Sequence, residues 1–143
     1  MSRFDQLKKL EVSGTKTARL TLYALESEPV LILAPATESN KPYFNGLLKR
    51  NARHLNRIQS RTITVSVTKE NRDDDRRLYA EHVVKGWESI SDSQGNQVPF
   101  DKEACLEFLT ALPDYIFDDV RVFATNPRNF TEEMVDPEEV SGN

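Results

Sequence analysis

The sequence predicts a mainly helical α+β domain in which an N-terminal β-hairpin precedes a helical bundle. One change of periodicity and one of composition predict it. Apolar residues alternate between positions 18 and 25, the spacing of a half-buried strand, and a second short apolar run follows at 30–34. After Pro42 they recur at helical spacing instead. From Thr131 to Asn143 there are five acids, no base and a proline, too little apolar surface to order a packed element. Residues 1–130 are therefore expected to form one globular domain and 131–143 an acidic flexible tail.

Each element follows from its residues. Phe4, Leu7 and Leu10, three apart, suggest a short helix that Gly14 breaks. Leu20, Leu22 and Ala24 share one face of a strand, and Val30–Ala34 supplies its partner beyond a turn at Glu26–Pro29, so a hairpin is expected over about 18–34. The clearest helix is 43–59. There Phe44, Leu47, Leu48, Leu55 and Ile58 lie on one face, and Lys49, Arg50, Arg53 and Arg57 on the other. Ile63, Val65 and Val67 alternate with Thr64 and Ser66, which favours a strand, although packing can hold β-branched residues in a helix.

A helix is expected over 71–86. Asp73, Asp74 and Asp75 suit the positive end of its dipole, and Tyr79, Val83 and Trp87 recur every four residues. Gly86 is awkward in that helix. Two further helices are expected near 102–111 and 114–125, from the apolar sets Cys105–Phe108–Leu109–Leu112 and Ile116–Val120–Phe123.

The densest stretch is VVKGWESISDSQGNQVPFDKE, residues 83–103. As a calcium loop from Asp92 it offers Gln94, Asn96 and Glu103, but position 6, which needs glycine, is Gln97, and position 8 is Pro99. As a structural junction it accounts for more residues. Asp92-Ser93-Gln94-Gly95 is a turn sequence closed by Gly95, and Asp101 is placed to cap a helix, with Phe100 just outside it. The stretch thus reads as a helix–turn–helix junction pinned by Trp87 and Phe100, with Cys105 as a small core residue.

Composition excludes several classes. No apolar run approaches the ~18 residues that a membrane span needs, and the first residues lack the apolar core of a secretory signal. The single cysteine fits a reducing compartment. His54 and His82 have no partner at a zinc spacing, and the five glycines form no phosphate loop. No catalytic, metal or cofactor-binding residue is expected, and no enzyme activity. The net charge of −4 conceals a polarity: residues 1–87 carry 16 Lys/Arg against 10 Asp/Glu, and residues 88–143 carry 3 against 13. That suits an interaction protein or a self-complementary oligomer; the plainer reading is that folding juxtaposes the two halves. The basic face of Lys49, Arg50, Arg53 and Arg57 lacks interleaved aromatics in a chain that is acidic overall, so nucleic acid is not the expected partner.

Three segments, NKPYFNGLLKRNAR (40–53), the 83–103 stretch, and FLTALPDYIFDDV with ATNPRNF (within 108–130), resemble the tail assembly chaperones of tailed, siphophage-like phages. The resemblance covers roughly residues 30–130 and departs at 62–68, where it implies helix. It implies a non-enzymatic protein, without cofactors, that acts in the host cytoplasm. Its partners would be the tape-measure protein and/or the tail-tube protein during tail assembly. On this reading the basic face is the contact, and Trp87, Gly95, Phe100 and Asp101 are structural. The alternatives are a permanent head–tail or tail component of the virion, and a nucleic-acid-binding protein using the 49–57 face.

Overall fold

A computed structural model describes residues 3–59 and 65–131, and their side chains at 3–52 and 71–131. The fold is α+β and mainly helical. The expected hairpin is present: β1 (Ala18–Thr21) pairs antiparallel with β2 (Val30–Leu33), Ala18 opposite Leu33 and Thr21 opposite Val30. A third strand, β3 (Val84–Glu88), pairs antiparallel with the other side of β2, giving the order β1-β2-β3. Opposite residues in such ladders share a face. Leu20, Leu31 and Trp87 therefore point to the same side, where Leu31 and Leu33 are wholly buried.

β3 corrects the helix expected over 71–86. The helix, α2, runs from Val65 to His82, and the chain turns into the sheet at Val83. Trp87 is a strand residue, so the helix–turn–helix reading of the junction fails. The four-residue spacing of Tyr79, Val83 and Trp87 is shared by two elements rather than one. Gly86 is awkward only in a helix; in β3 it stands opposite Ile32. The strand expected around residues 62–68 is also corrected from Val65 onward, which is helical; residues 60–64 lie outside the described residues. The acids 73–75 sit inside α2 instead of at its start, and their partners are arginines rather than a helix dipole.

The remaining helices fall close to expectation: α1 (Lys41–Gln59), α3 (Lys102–Ala111) and α4 (Asp114–Ala124). Short 3-10 segments occupy Asp5–Leu10 and Pro127–Phe130. Among the described side chains of α1 the buried one is Tyr43, whereas Leu48, expected on the apolar face, is 51% exposed. The core forms where the inner face of the sheet meets Tyr79 and Ala80 of α2, Val83 just beyond it, Cys105 and Leu109 of α3, and Ile116, Phe117, Val120 and Ala124 of α4.

Two buried polar side chains tie these layers together. Asn40 opens α1: its carbonyl accepts from Phe44 N–H at 2.9 Å, while its amide Nδ2 donates to Pro35 O and to His82 O, each at 2.9 Å. One residue, through its main-chain carbonyl and its side-chain amide, thereby joins the exit of β2, the start of α1 and the end of α2. Arg76 of α2, only 5% exposed, donates from Nε to Leu109 O at 2.7 Å and from Nη2 to Leu112 O at 3.0 Å. Those carbonyls belong to the C-terminal turn of α3, which has no intrahelical donors left to offer them. Nη2 also reaches Asp114 Oδ1 at 3.0 Å in the first turn of α4, and the guanidinium lies 4.8 Å from the centre of the Phe117 ring.

Replacing Arg76 by Lys keeps the charge but not the planar fork that serves both carbonyls. Leaving a buried acceptor unpaired costs about 1–3 kcal/mol, so Arg76→Lys should destabilise by about 3 kcal/mol in urea unfolding, with little change in m-value.

Candidate functional site

The basic face does not survive as a unit. Lys49 is exposed, but Arg50 turns inward, with its side chain 13% exposed, and pairs with Asp75 Oδ1. Arg53 and Arg57 belong to α1, but their side chains lie outside the described residues. Asp75 is itself 14% exposed and accepts a second arginine, Arg121 Nη1 of α4, on Oδ2 at 2.8 Å. Arg121 Nη2 continues to Asp118 at 2.7 Å, and Asp118 meets Arg72 at 3.5 Å. A chain of alternating charge therefore joins α1, α2 and α4. Its members Asp75, Asp118 and Arg121 floor an open cleft of about 420 Å³ bordered by Tyr43, Tyr79, Val122 and Thr125. Burial raises the pKa of both Tyr43 and Tyr79, so neither phenol ionises near neutrality. Asp75, Arg121 and Asp118 are engaged with one another, the geometry of a helix clamp, while Arg50 Nε is buried without a hydrogen-bond partner.

The junction is a β-hairpin leading into a helix. Beyond β3, Val98 N–H donates to Ile90 O at 2.9 Å and Ser91 bridges Gln97, so the chain doubles back before α3. Asp92 organises the tip: its Oδ1 accepts from the amides of Gln94 at 2.9 Å and Asn96 at 3.0 Å. Gly95 has φ +85°, a left-handed conformation that glycine adopts without a Cβ clash. Asp101 caps α3 as expected, accepting from Ala104 N–H at 2.7 Å. The Trp87 and Phe100 rings meet edge to face at 5.2 Å, and Trp87 meets Phe108 in the same manner at 5.6 Å. Trp87 Nε1 donates to Val98 O at 2.9 Å. Both rings are half-buried, not enclosed, and Trp87 lines a groove of about 240 Å³ that opens between the hairpin and α3. Trp87, Ile90, Val98 and Phe108 form its apolar floor, with Asp92 on the hairpin side and Glu107 on the α3 side.

The remaining sequence candidates are quickly placed. Cys105 is fully buried, and burial pushes its thiol up to about 12, far from a nucleophile's range. His82, at the end of α2, has Nε2 3.5 Å from Glu81, and burial lowers its pKa. His54 has its side chain outside the described residues. Among the described residues no three His, Cys, Asp or Glu side chains gather as metal ligands, and no helix is long and apolar enough to cross a membrane. Sequence reasoning missed Asp75, Arg76 and Arg121, and it missed the groove. The one signal for the groove was the hairpin turn at Asp92–Gly95, which places Ile90 and Val98 side by side.

A prophage protein is the class to which the comparisons assign the chain. The family model described as YdaY prophage protein matches residues 39–143, and the chain belongs to that family. The match spans α1 to α4, the hairpin and the acidic C-terminus. No curated protein and no solved structure matches the chain.

Asp101→Ala should cost about 1 kcal/mol through the lost cap. Trp87→Phe, which keeps the ring contacts but not the indole N–H, should likewise cost about 1 kcal/mol; both are measurable by urea unfolding. Cys105 should resist an aromatic disulfide reagent in the native protein and react fully once the chain is unfolded. Rapid labelling under native conditions would contradict its placement.

Proposed function

We propose that this prophage protein is a tail assembly chaperone, a non-enzymatic protein that needs no cofactor. In the host cytoplasm it binds the tape-measure protein and/or the tail-tube protein, and it is absent from the finished particle. Its membership of a prophage family supports a role in the phage programme. The observation that carries the contact is the outer surface of α1, where Leu48, 51% exposed, stands beside exposed Lys49 while Arg50 is held inward by Asp75. An apolar side chain next to a cation on a clamped helix suits an amphipathic client helix with acidic flanks. The family match begins just before this helix and runs through the acidic C-terminus, whose repelling charge favours solubility of a bound client.

The test separates contact from folding. Reversing all four basic residues would take from Asp75 one of its two arginine partners and weaken the fold, so Arg50 stays. Lys49→Glu, Arg53→Glu and Arg57→Glu together should abolish co-purification with the tape-measure protein and leave the circular dichroism spectrum unchanged. Retained binding and tail formation in this triple variant would discard the α1 contact. The wild-type protein in stoichiometric amounts in purified particles would discard the chaperone role and make it a virion component.

A further inference from the structure

The groove and the N-terminal segment are complementary in both shape and charge. In the 3-10 segment Asp5–Leu10, residues three apart align along one edge, so Leu7 and Leu10 form a ridge with Phe4. All three are more than half exposed, at 54%, 53% and 58%. Three residues per turn place Lys8 and Lys9 on opposite sides of that ridge, and both are exposed. The groove repeats the pattern with its charges inverted: an apolar floor of Trp87, Val98 and Phe108 between Asp92 on one wall and Glu107 on the other. Its surroundings reinforce the sign, since exposed Asp101 and Glu103 lie nearby and Lys102 is the one cation between residues 88 and 120.

The two features cannot meet within one chain. The 3-10 segment leads into β1 at the Ala18–Leu33 end of the sheet, where Leu10 and Val12 border one open cleft with Thr37, Ser39 and Pro127. The hairpin extends from the opposite end, beyond the Val30–Glu88 pair. At about 240 Å³ the groove is below the ~300–1,000 Å³ of small-molecule sites, and an aliphatic pair fills it better than a cofactor.

We propose that the protein associates head to tail with further copies of itself, Leu7 and Leu10 of one copy entering the groove between hairpin and α3 of the next. Lys8 and Lys9 lie against Asp92 and Glu107 in that contact. The contact joins two different surfaces, so it generates a ring if the rotation closes and a filament if it does not. Its charges sit at a solvent-accessible rim, which makes the association weaken with added salt. This inference is independent of the α1 contact, because it uses neither Leu48 nor Lys49.

Sedimentation velocity over a ~100-fold concentration range gives the first reading. The wild-type sedimentation coefficient should rise with concentration and fall back in high salt. Lys8→Glu with Lys9→Glu in one chain, and Glu107→Lys in another, should each weaken association by ~10-fold or more. Mixing the two variants should restore pairwise association, since the unaltered ridge of the Glu107→Lys chain then meets the unaltered groove of the other. Asp92 is left alone because it holds the hairpin tip. Trp87 provides a second reading: a synthetic peptide of residues 1–12 should shift its fluorescence and dissociate the wild-type oligomer. A wild-type chain that stays monomeric at every concentration overturns the proposal, even if its groove takes another basic peptide. So does a variant mixture that remains monomeric, or association that the Lys8 and Lys9 reversals leave untouched.

Discussion

The guanidinium of Arg76 is the interaction on which the rest of the helical layer depends. An arginine is rarely buried because its charge loses hydration, and it is kept only where several acceptors and a counter-charge replace water. Here two carbonyls at the end of α3, a carboxylate at the start of α4 and the Phe117 ring do so together. The consequence is geometric. α3 must end beside the middle of α2, and α4 must begin within reach of the same side chain, which fixes the turn at Leu112–Pro113. With that turn fixed, Ile116, Phe117 and Val120 face the core. Tyr79, three residues along α2, then meets the Phe117 ring edge to face at 5.5 Å, and Tyr43 of α1 at 5.9 Å.

The same logic explains which parts of the fold were legible in the sequence. The hairpin, α3, α4, the Asp92–Gly95 turn and the Asp101 cap rest on contacts within a few residues, which local pattern records. β3 does not. Its backbone groups are satisfied by β2, more than fifty residues earlier, and nothing within VVKGW announces that partner. Trp87 also fell at a helical spacing from Tyr79 and Val83, so the period was true of the residues and false of the element. Residues 65–68 show the converse: β-branched alternation is a weak preference, and the helix continuous with the Arg76 clamp overrides it.

The candidate sites were misread for an electrostatic reason. A carboxylate three or four residues from an arginine looks like a solvated helix pair, worth a few tenths of a kcal/mol. Asp75 is instead the meeting point of two arginines from other helices, with its side chain 14% exposed. Sequence spacing records the distance along one helix and is silent about the helix packed across from it. Arg50 was therefore assigned to an outward stripe that the fold divides, with Lys49 outside and Arg50 within.

That division bears on the polarity of the chain, basic through residue 87 and acidic beyond it. Folding sets many of the opposed charges against each other: Arg72 and Arg76 reach Asp114, Arg19 reaches Glu88, and Arg121 returns to Asp75. The Arg19 hydrogen bond holds the Glu88 carboxyl below its ordinary range, although both groups stand at the surface. These pairs lie along the sheet and the α2–α4 seam, so they neutralise the middle of the molecule and leave the polarity at its extremities. Lys8 and Lys9 remain beside an exposed apolar ridge at one end of the sheet, and Asp92 and Glu107 remain around an apolar groove at the other. A chain whose opposed charges existed only to bind each other in cis would bring these groups together too. Here the cis partner of Lys8 is Asp5 of its own segment, at 3.8 Å on an exposed surface, and the two apolar surfaces with inverted rims lie at opposite ends of the sheet, an arrangement that favours contacts between molecules over contacts within one.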